Sequence, residues 1–522
     1  MRSRHSKPGT LIDYPLLAII LLVIAAKPAP SAEFSDPTLD LLVKKGIITQ
    51  EEATKAKAEA EAMRTNMMAM PSDSKWKINK AIKNVELFGD LRLRFEDREA
   101  KTPNHGKLEL YRGRVAVRLG LRGEAFDDFY YGLRLDTAAN PRSPWVTFGT
   151  SSTGVPYQGP YGKSTLGINV GQAYLGWRPW NWVDVTVGKM PNPLYTTPMV
   201  WDSDINPEGA AERFKYTVGH ADFFATFAQF LYQDVNPSSV SPGLASGFLQ
   251  GQSADDVFQL AWQAGLNYRF TTNISAKIAG TVYYYMGAKS NTPPFFGDPY
   301  VGEGAYLGPG TGTIDGSSGW TPSASATTPG LFAGFPNNQG GLNHLLVLEV
   351  PWEVNFKLFQ FDARLFGDVA YNLEGKKRAD EAAAAYANYI ALNSGTLTPF
   401  APQHDDRMAW QAGLAIGSPG LVYGGAAKKH SWEFRTYWQH VEQYALDPNL
   451  LDSDFFEGRG NLEGIFAAFA YSLSDNVIGT IRYGYANRIN KKLGTGGNNQ
   501  DIPQINPVEN YSILQLDLTL RF

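Results

Sequence analysis

The segment NYSILQLDLTLRF, residues 510–522, has the most regular alternation in the sequence and decides the fold class. From Leu514 to Phe522 every second residue is apolar, and the residues between them are Gln, Asp, Thr and Arg. A period of two gives a β-strand one apolar face and one polar face. In a membrane β-barrel the last strand must pair with the first, because lipid offers no partner to a free sheet edge. The segment therefore predicts the closing strand of such a barrel, with a half-buried edge strand of a soluble β protein as the alternative.

The overall composition is compatible with this prediction without deciding it. The chain has 522 residues, a mean hydropathy of -0.26 and a formal net charge of -4, values that also describe a large soluble protein. A barrel with a water-filled interior is polar at every second residue, so it is not hydrophobic on average. The sequence contains no cysteine, which argues against a disulfide framework, Cys-ligated zinc and thiol catalysis.

The start of the sequence has the pattern of a secretory signal peptide. Arg4 and Lys7 precede an apolar run at residues 16–26, which is followed by prolines and small residues up to Ala32. The run is too short to cross a bilayer, since a transmembrane helix needs about 20 apolar residues. We predict a signal peptide at residues 1–32. Because no longer apolar run follows, the mature protein is expected to enter a membrane only with strands.

Residues 33–84 are predicted to form a short helical segment in the periplasm. A basic turn that ends at Gly46 is typical of the end of a first helix, and Thr49 with Glu52 forms a capping box for a second one. No sustained heptad repeat is visible. The segment is interpreted as a solvated spacer, with a module that self-associates or contacts the cell wall as the alternative.

Residues 85–522 keep a hydrophobic period of two and predict the barrel itself. In residues 258–270, for example, Leu260 and Trp262 lie on one face and Gln263 on the other. Strands this polar on one face suit a sheet with lipid on one side and water on the other. We predict an all-β, antiparallel transmembrane barrel of about 16 strands, an even number as in bacterial single-chain barrels. The predicted strands are residues 85–96, 108–124, 128–137, 166–178, 181–190, 209–219, 221–233, 256–271, 273–286, 342–355, 358–374, 407–417, 430–442, 461–473, 475–489 and 510–522.

The connections between these strands alternate in length. Short turns such as residues 179–181 and 219–220 alternate with long segments rich in Gly, Pro, Ser and Asn, such as residues 190–208 and 287–341. Short periplasmic turns and long external loops are the expected asymmetry of an outer-membrane barrel. Aromatic residues recur near the predicted strand ends, as in the girdles at membrane interfaces. Residues 418–429 are the exception, because they form a longer connection on the side of the short turns.

Several motifs together resemble a family of proteobacterial outer-membrane proteins described as putative porins. They are VELFGDLRLRFE at residues 85–96, LLVKKGIIT at 41–49, GKMPNP at 188–193 and WDSDINPEG at 201–209. The last strand also resembles the C-terminal strand of Gram-negative outer-membrane proteins, in which a terminal Phe such as Phe522 is part of the assembly signal. The resemblance implies an outer-membrane porin that passes small hydrophilic solutes or ions by passive diffusion. Outer-membrane lipid and the barrel-assembly machinery are the implied partners, and a homotrimer is the implied assembly.

General diffusion porins fold their third external loop into the barrel, and here the third loop is predicted at residues 190–209. Acids on this loop and arginines on the inner faces of the first three strands would oppose each other across a narrow neck and order polar solutes. The larger number of arginines predicts a weak preference for anions. The alternative is that the arginines only pair with lumenal acids such as Glu86, Asp90 and Asp136. The predicted lining residues are Arg92, Arg94, Arg112, Arg114, Arg118, Arg122, Arg134, Asp202, Asp204, Glu208 and Glu212.

Catalytic and metal-binding motifs are not found. The sequence lacks G-x-S-x-G, H-E-x-x-H and Walker-type motifs, and its histidines have no metal-ligand spacing. We therefore predict no enzyme, no cofactor and no metal site. The alternatives to a porin are an outer-membrane enzyme with a lipid-facing Ser-His pair, for which His440 is the candidate, and a closed structural or adhesin barrel. Nucleic acid is not an expected partner, because the chain is mildly acidic and its arginines alternate inward.

Overall fold

The chain divides into two compact units, Met1–Ala81 and Ile82–Phe522. The predicted signal peptide at residues 1–32 lies outside the described residues, and so does the predicted helical segment apart from Lys45, Thr49 and residues 81–84. The computed structural model describes residues 81–101, 107–138, 143–148, 167–233, 257–286, 312–315, 319–322, 344–380, 401–495 and 508–522, together with Lys45, Thr49 and Ala383.

The described part of the second unit consists mainly of strands and their connections, in agreement with the period of two. Helical structure among the described residues is confined to a 3-10 helix at Leu421–Tyr423 and a short helical stretch that starts at residue 375. No described helix has the length and apolar character needed to span a membrane. The strands are β1 (Glu86–Lys101), β2 (Lys107–Glu124), β3 (Phe129–Ala138), β4 (Val146–Thr147), β5 (Gly167–Trp180), β6 (Val183–Lys189), β7 (Glu208–Val218), β8 (Ala221–Gln233), β9 (Val257–Arg269), β10 (Ser275–Met286), β11 (Gly312–Asp315), β12 (Gly319–Pro322), β13 (Leu346–Glu349), β14 (Trp352–Leu358), β15 (Phe361–Asn372), β16 (Met408–Gly417), β17 (Trp432–Val441), β18 (Leu462–Ser472), β19 (Val477–Arg488) and β20 (Asn510–Arg521).

Eighteen of these strands form one antiparallel sheet that closes on itself, and β11 and β12 pair separately. The ring is completed by β1 and β20, which pair from Asp90–Arg521 to Lys101–Asn510. The two-residue strand β4 pairs with β2 beyond the end of β3, and β13 and β14 share one position between β10 and β15. The wall therefore has sixteen strand positions, which confirms the predicted number.

One predicted strand is interrupted in the structure. The sequence predicts a single strand at residues 342–355, whereas β13 and β14 are separated at Val350 and Pro351. Proline has no N–H to donate to a neighbouring strand. The carbonyl of Pro351 still accepts a hydrogen bond from Ala279 N at 3.1 Å, and Val350 N donates to Val369 O at 2.8 Å. These bonds keep both halves at the same position in the wall.

The two faces of the wall differ in polarity as the alternation predicts. On β1, Leu93 and Phe95 point outward and are 42% and 44% exposed, whereas Arg94 and Glu96 point inward and are 5% and 0% exposed. Outward apolar side chains recur around the ring, for example Ile481 on β19. The barrel thus has an apolar outer face and a polar interior.

Three of the connections that the structure describes in full fold into the interior of the barrel. Loop 3, residues 190–207, joins β6 to β7, and loop 7, residues 442–461, joins β17 to β18. Both start from the end of the barrel that carries the long connections. The inner turn, residues 418–431, joins β16 to β17 at the opposite end and contains the 3-10 helix.

Candidate pore and its lining

Loop 3 crosses the interior and is hydrogen-bonded to the far wall. Tyr195 N donates to Gln263 Oε1 on β9 at 2.9 Å, and Gln263 Nε2 donates back to Tyr195 O at 2.8 Å. The hydroxyls of Thr196 and Thr197 donate to the carboxylates of Glu349 on β13 and Asp368 on β15. Because these partners are themselves buried in the wall, the tip of loop 3 is held firmly.

The returning half of loop 3 contacts the opposite wall. Asn206 Oδ1 accepts a hydrogen bond from Gln172 Nε2 on β5 at 2.9 Å, and Arg118 Nη1 on β2 lies 3.4 Å from Asp204 Oδ1. Loop 3 therefore spans the lumen from β2 and β5 to β13 and β15. This is the position expected for a loop that narrows a pore.

Loop 7 meets loop 3 inside the barrel, which the sequence analysis does not predict. Asp202 N donates to Leu450 O at 2.7 Å, and Asp452 N donates to Pro198 O at 3.2 Å. Ser453 N donates to the Asp202 carboxylate at 3.0 Å. The two loops are thus joined through both backbone and side chain, and they form one barrier across the lumen.

Apolar side chains hold loop 7 in place. Phe455 and Phe456 are 0% and 2% exposed, and the Phe455 ring packs against Tyr437 and Phe466 with centroid distances of 5.8 and 5.3 Å. Gly484 on β19 makes room for this ring, since a Cβ at Gly484 would lie 2.5 Å from Phe455 Cδ2. Two adjacent phenylalanines in a long polar loop are the sequence signal that could have identified the insertion.

The inner turn fills the lumen from the opposite end. Leu421 and Val422 are each 2% exposed. The carboxylate of Glu433 accepts hydrogen bonds from Gly420 N at 3.0 Å and Val422 N at 2.7 Å, and Arg482 Nη2 donates to Val422 O at 3.0 Å. The unusual length of this connection therefore corresponds to a segment packed inside the barrel.

The predicted arginines on the first wall, which we define as β1, β2 and β20, are bound to carboxylates. Arg94 Nε lies 2.8 Å from Asp517 Oδ1 on β20, and Arg94 Nη1 lies 2.6 Å from Asp454 Oδ1 on loop 7. Arg112 lies 2.6 Å from Glu96, a fully buried carboxylate that Arg98 also contacts at 2.7 Å. These groups tie loop 7 to the first wall.

Four further predicted arginines pair with lumenal acids, as the alternative interpretation expects. Arg92 and Arg118 both contact Asp90, at 2.9 and 2.7 Å. Arg122 pairs with Glu86 at 2.7 Å at the rim of the barrel, where both side chains are more than half exposed. Arg134 pairs with Asp136 at 2.7 Å. The remaining predicted arginine, Arg114, is buried beside the Trp145 ring at 5.6 Å.

The structure separates the four predicted acids into two pairs. Asp202 and Asp204 lie on loop 3 inside the barrel and are linked by a hydrogen bond from Asp204 N to Asp202 Oδ1 at 2.9 Å. Burial, followed by the charge of Asp204, raises the pKa of Asp202 to about 7, although hydrogen bonds from the Asp204 N–H and the Ser453 side chain stabilise its charged form. Asp202 is therefore a loop carboxyl that changes charge near neutral pH.

Glu208 and Glu212 are not in the lumen, and their prediction as lining residues is wrong. Glu208 is exposed and pairs with Lys189 at 2.6 Å. Glu212 lies opposite Phe227 in the β7–β8 register, on the outer face, and accepts a hydrogen bond from Gln229 Nε2 at 3.1 Å. Residues directly opposite in an antiparallel pair share a face, and Phe227 is 43% exposed.

The alternation of residues along β7 is the sequence feature that places Glu212 on the outer face. Phe214, Tyr216 and Val218 are the apolar residues of the strand and face outward, so Glu212, two residues before Phe214, faces outward as well. The intervening Arg213 faces the lumen instead.

Arg213 belongs to a second wall, which we define as β5 to β10 and which the sequence analysis does not single out. Arg178 Nε and Arg213 Nη2 lie 3.0 and 2.7 Å from the same carboxylate oxygen, Asp184 Oδ2. Lys277 Nζ lies 3.7 Å from the centroid of the Tyr195 ring. Their inward positions within predicted strands could have indicated them.

His440 is the candidate for a lipid-facing Ser-His pair. His440 lies on the outer face, where its ring stacks on Trp410 and its nitrogens lie 2.9 Å from Glu463 and 3.4 Å from Glu442. The part of the chain that the structure describes contains no group of three or more His, Cys, Asp or Glu side chains that could hold a metal ion.

The sequence matches the model of a family described as "Putative porin" over residues 102–296 and 342–522. No curated protein matches it significantly. Among solved structures, it is similar to an anion-selective porin from Comamonas acidovorans, with 9% identity, a TM-score of 0.39 and coverage of 84% of this chain and 99% of that chain. A triple mutant of the Rhodopseudomonas blastica porin has 10% identity, a TM-score of 0.34 and coverage of 84% and 100%.

Proposed function

The chain belongs to the "Putative porin" family and is an outer-membrane porin, and we propose that small hydrophilic solutes and ions cross it by passive diffusion beside loop 3. The observation that carries this proposal is a closed barrel with a polar lumen that a hydrogen-bonded loop narrows. Porins use such a neck to select solutes by size and charge.

The proposed orientation places the short turns in the periplasm and the long connections outside the cell. The apolar outer face is expected to contact lipid, since exposed side chains such as Leu93 and Phe95 would otherwise face water. Residues 1–32 act as the signal peptide in this proposal, and residues 33–84 form a periplasmic helical segment.

The proposed constriction consists of Asp202 and Asp204 on loop 3 together with Arg118, and the other predicted arginines from Arg92 to Arg134 are proposed to line the lumen on the same side. Arg118 supports this role, because it reaches both Asp90 on its own wall and Asp204 on the loop. Most of the arginines are paired, so the net field of the neck depends on the few charges that remain unbalanced. We expect weak anion selectivity.

A homotrimer is the proposed assembly, with the outer face of β7 and β8 as a contact surface. A polar side chain in the middle of a lipid-facing strand is costly, whereas the hydrogen-bonded pair Glu212–Gln229 would be accommodated against another subunit. Native mass spectrometry of the detergent-solubilised protein tests the trimer. A trimer that dissociates in the Glu212→Leu variant would support this surface, and a monomeric wild-type protein would contradict it.

Phe522 is proposed as part of the signal read by the barrel-assembly machinery. Its N–H donates to Gly89 O at 3.2 Å and its carbonyl accepts from Gly89 N at 2.9 Å, so the residue also extends the closing β1–β20 pair. Deletion of Phe522 is expected to lower the amount of protein inserted into the outer membrane. Normal insertion of the deletion variant would show that the residue is not a signal in this protein.

Planar-bilayer conductance of the purified protein tests the porin function directly. A passive porin gives ohmic steps in KCl and no substrate turnover. A purified, heat-modifiable barrel without conductance would favour a closed structural or adhesin barrel. Enzymatic activity is not expected, because the described contacts of His440 are with carboxylates and an indole ring rather than with a serine.

A further inference from the structure

A cavity of about 430 Å³ lies inside the barrel between loop 3 and the second wall. Its volume falls within the range of about 300–1,000 Å³ that is usual for small-molecule sites. Loop 3 contributes Tyr195 to the lining, and β5, β6, β7, β8 and β10 contribute the charged and aromatic side chains. The lining residues used below are Arg178, Asp184, Tyr195, Arg213, Lys215, Phe224 and Lys277.

The cations of this cavity outnumber its carboxylates. Arg178 and Arg213 share Asp184, so one negative charge faces two guanidinium groups. Among the described residues, Lys215 and Lys277 have no carboxylate oxygen within 4.0 Å. Glu353, which lies opposite Lys277 in the β10–β14 register, pairs with Arg364 at 3.4 Å instead. The cavity therefore has an excess of positive charge that an anion would neutralise.

Two aromatic rings form a corner beside the same cations. The rings of Tyr195 and Phe224 are nearly perpendicular, at 88°, with centroids 6.5 Å apart. Lys277 Nζ lies 3.7 Å from the first centroid and 5.2 Å from the second. Tyr195 is held there by its two backbone hydrogen bonds to Gln263. A perpendicular pair of fixed rings offers a flat apolar ligand both a face and an edge to pack against.

We propose that this cavity binds aromatic carboxylates on their way through the pore. The carboxylate would accept hydrogen bonds from the Arg213 guanidinium and the Lys277 ammonium, and the ligand's ring would pack in the corner formed by Tyr195 and Phe224. Charge-assisted hydrogen bonds to a carboxylate supply the affinity, and the rings supply the selection of aromatic over aliphatic anions. The inference rests on the proposed porin function and names the class of solute that the channel favours.

The test is current block in planar bilayers, with benzoate, acetate and benzylammonium as the added solutes in KCl. Benzoate should reduce the single-channel current at a concentration at least fivefold lower than acetate, and benzylammonium should not block. Equal block by benzoate and acetate would overturn the proposal, because it would reflect charge alone. A protein that forms no channel at all would contradict the porin function, whereas an unblocked channel would contradict only this inference.

Substitutions locate the effect. Lys277→Gln and Phe224→Leu should each raise the half-blocking concentration of benzoate, the former about tenfold, as expected for one lost charge-assisted hydrogen bond. Lys357→Gln is the matched control, since Lys357 on β14 lies outside the cavity and pairs with Asp362 on β15 at 2.6 Å. Each variant must keep the heat-modifiable migration of the folded barrel. Block that is unchanged in Lys277→Gln, or that weakens equally in Lys357→Gln, would overturn the assignment.

Discussion

The first and second walls of the barrel both carry inward-facing cations, but they use them differently. On the first wall, Arg94 and Arg98 are 5% and 4% exposed and are enclosed by carboxylates from β1, β20 and loop 7. On the second wall, the Arg178 and Arg213 side chains are 52% and 40% exposed and share one carboxylate. The first arrangement fixes a loop, and the second leaves positive charge facing the water of the lumen.

This difference shows that a count of charges along strands does not give the field inside a pore. The two charges of a buried ion pair cancel at a distance, so the pair mainly fixes the positions of the segments that carry it. An exposed cation without a matching carboxylate attracts anions that pass through the lumen. The first wall is rich in arginine in the sequence, yet most of these arginines are paired with carboxylates in the structure, whereas Arg178 and Arg213 of the second wall share a single carboxylate. Stability and selectivity should therefore respond to substitutions on different walls.

The largest expected effect is on the stability of the first wall. Arg94→Met removes the partner of two carboxylates, Asp517 and Asp454, and should lower the free energy of unfolding by about 3–5 kcal/mol, since an uncompensated charge remains buried. Arg122→Met removes an exposed pair with Glu86 and should cost much less, because water screens that pair. Urea titration of protein refolded into lipid vesicles measures both. Equal losses would contradict the distinction between enclosed and exposed pairs.

The next effect concerns the two faces of the second wall. Leu260 lies on the outer face of β9, and Leu260→Arg should destabilise the barrel by about 2–4 kcal/mol near the bilayer midplane. Asn267 faces the lumen, so Asn267→Arg should be tolerated and should increase anion preference. Gln263 is not a suitable control, because it binds loop 3. The same vesicle titration applies, and similar losses at both positions would mean that the faces are assigned incorrectly.

A third prediction compares the selectivity contributed by each wall. In water, the interaction energy between an ion and one unit charge about 6 Å away is about 0.7 kcal/mol before screening by salt. An energy of this size changes a permeability ratio roughly threefold. Arg178→Gln on the second wall should shift the reversal potential in a KCl gradient toward cation selectivity. The corresponding change in the permeability ratio should be threefold at most, by the same rough estimate. Arg112→Gln should shift it much less, because the Arg112 guanidinium is buried against Glu96. A larger shift in Arg112→Gln would place the conducting path along the first wall.

The fold follows largely from the sequence. Each strand has an apolar outer face and a polar lumenal face, so apolar and polar residues alternate along it. The number of strand positions, the closing role of residues 510–522 and the polarity of both faces are predictable on that basis. The break at Pro351 is less evident, since proline disrupts pairing only locally. What strand periodicity cannot give is the path of a loop once it leaves the wall.

The candidate site depends mostly on such paths, and it is correspondingly less predictable. Loop 3 is anchored through Tyr195 and Gln263, which are far apart in sequence, and loop 7 enters the lumen through Phe455, whose space is provided by Gly484. These contacts join distant segments and have no local periodicity. Glu212 is a different case, because the parity of its own strand was sufficient to place it on the outer face.

The smallest predicted effect is a pH dependence that originates on loop 3, between the two walls. Asp202 has its pKa raised to about 7 by burial and by the neighbouring Asp204, so it is mostly charged at pH 8 and mostly neutral at pH 6. Lowering the pH across this range removes negative charge from the barrier formed by loops 3 and 7. Anion preference, read from the reversal potential in a KCl gradient, should therefore increase as the pH falls, by less than the shift expected for Arg178→Gln.

Asp202→Asn isolates the contribution of this one carboxyl group. The amide oxygen can still accept the hydrogen bond from Ser453 N, which keeps loops 3 and 7 joined. At pH 8 the variant should already have the reversal potential that the unmodified channel reaches at pH 6, and its own change between the two values should be smaller. An equal pH response in both proteins would assign the titration to another group and would mean that the carboxylates of loop 3 do not face the conducting path.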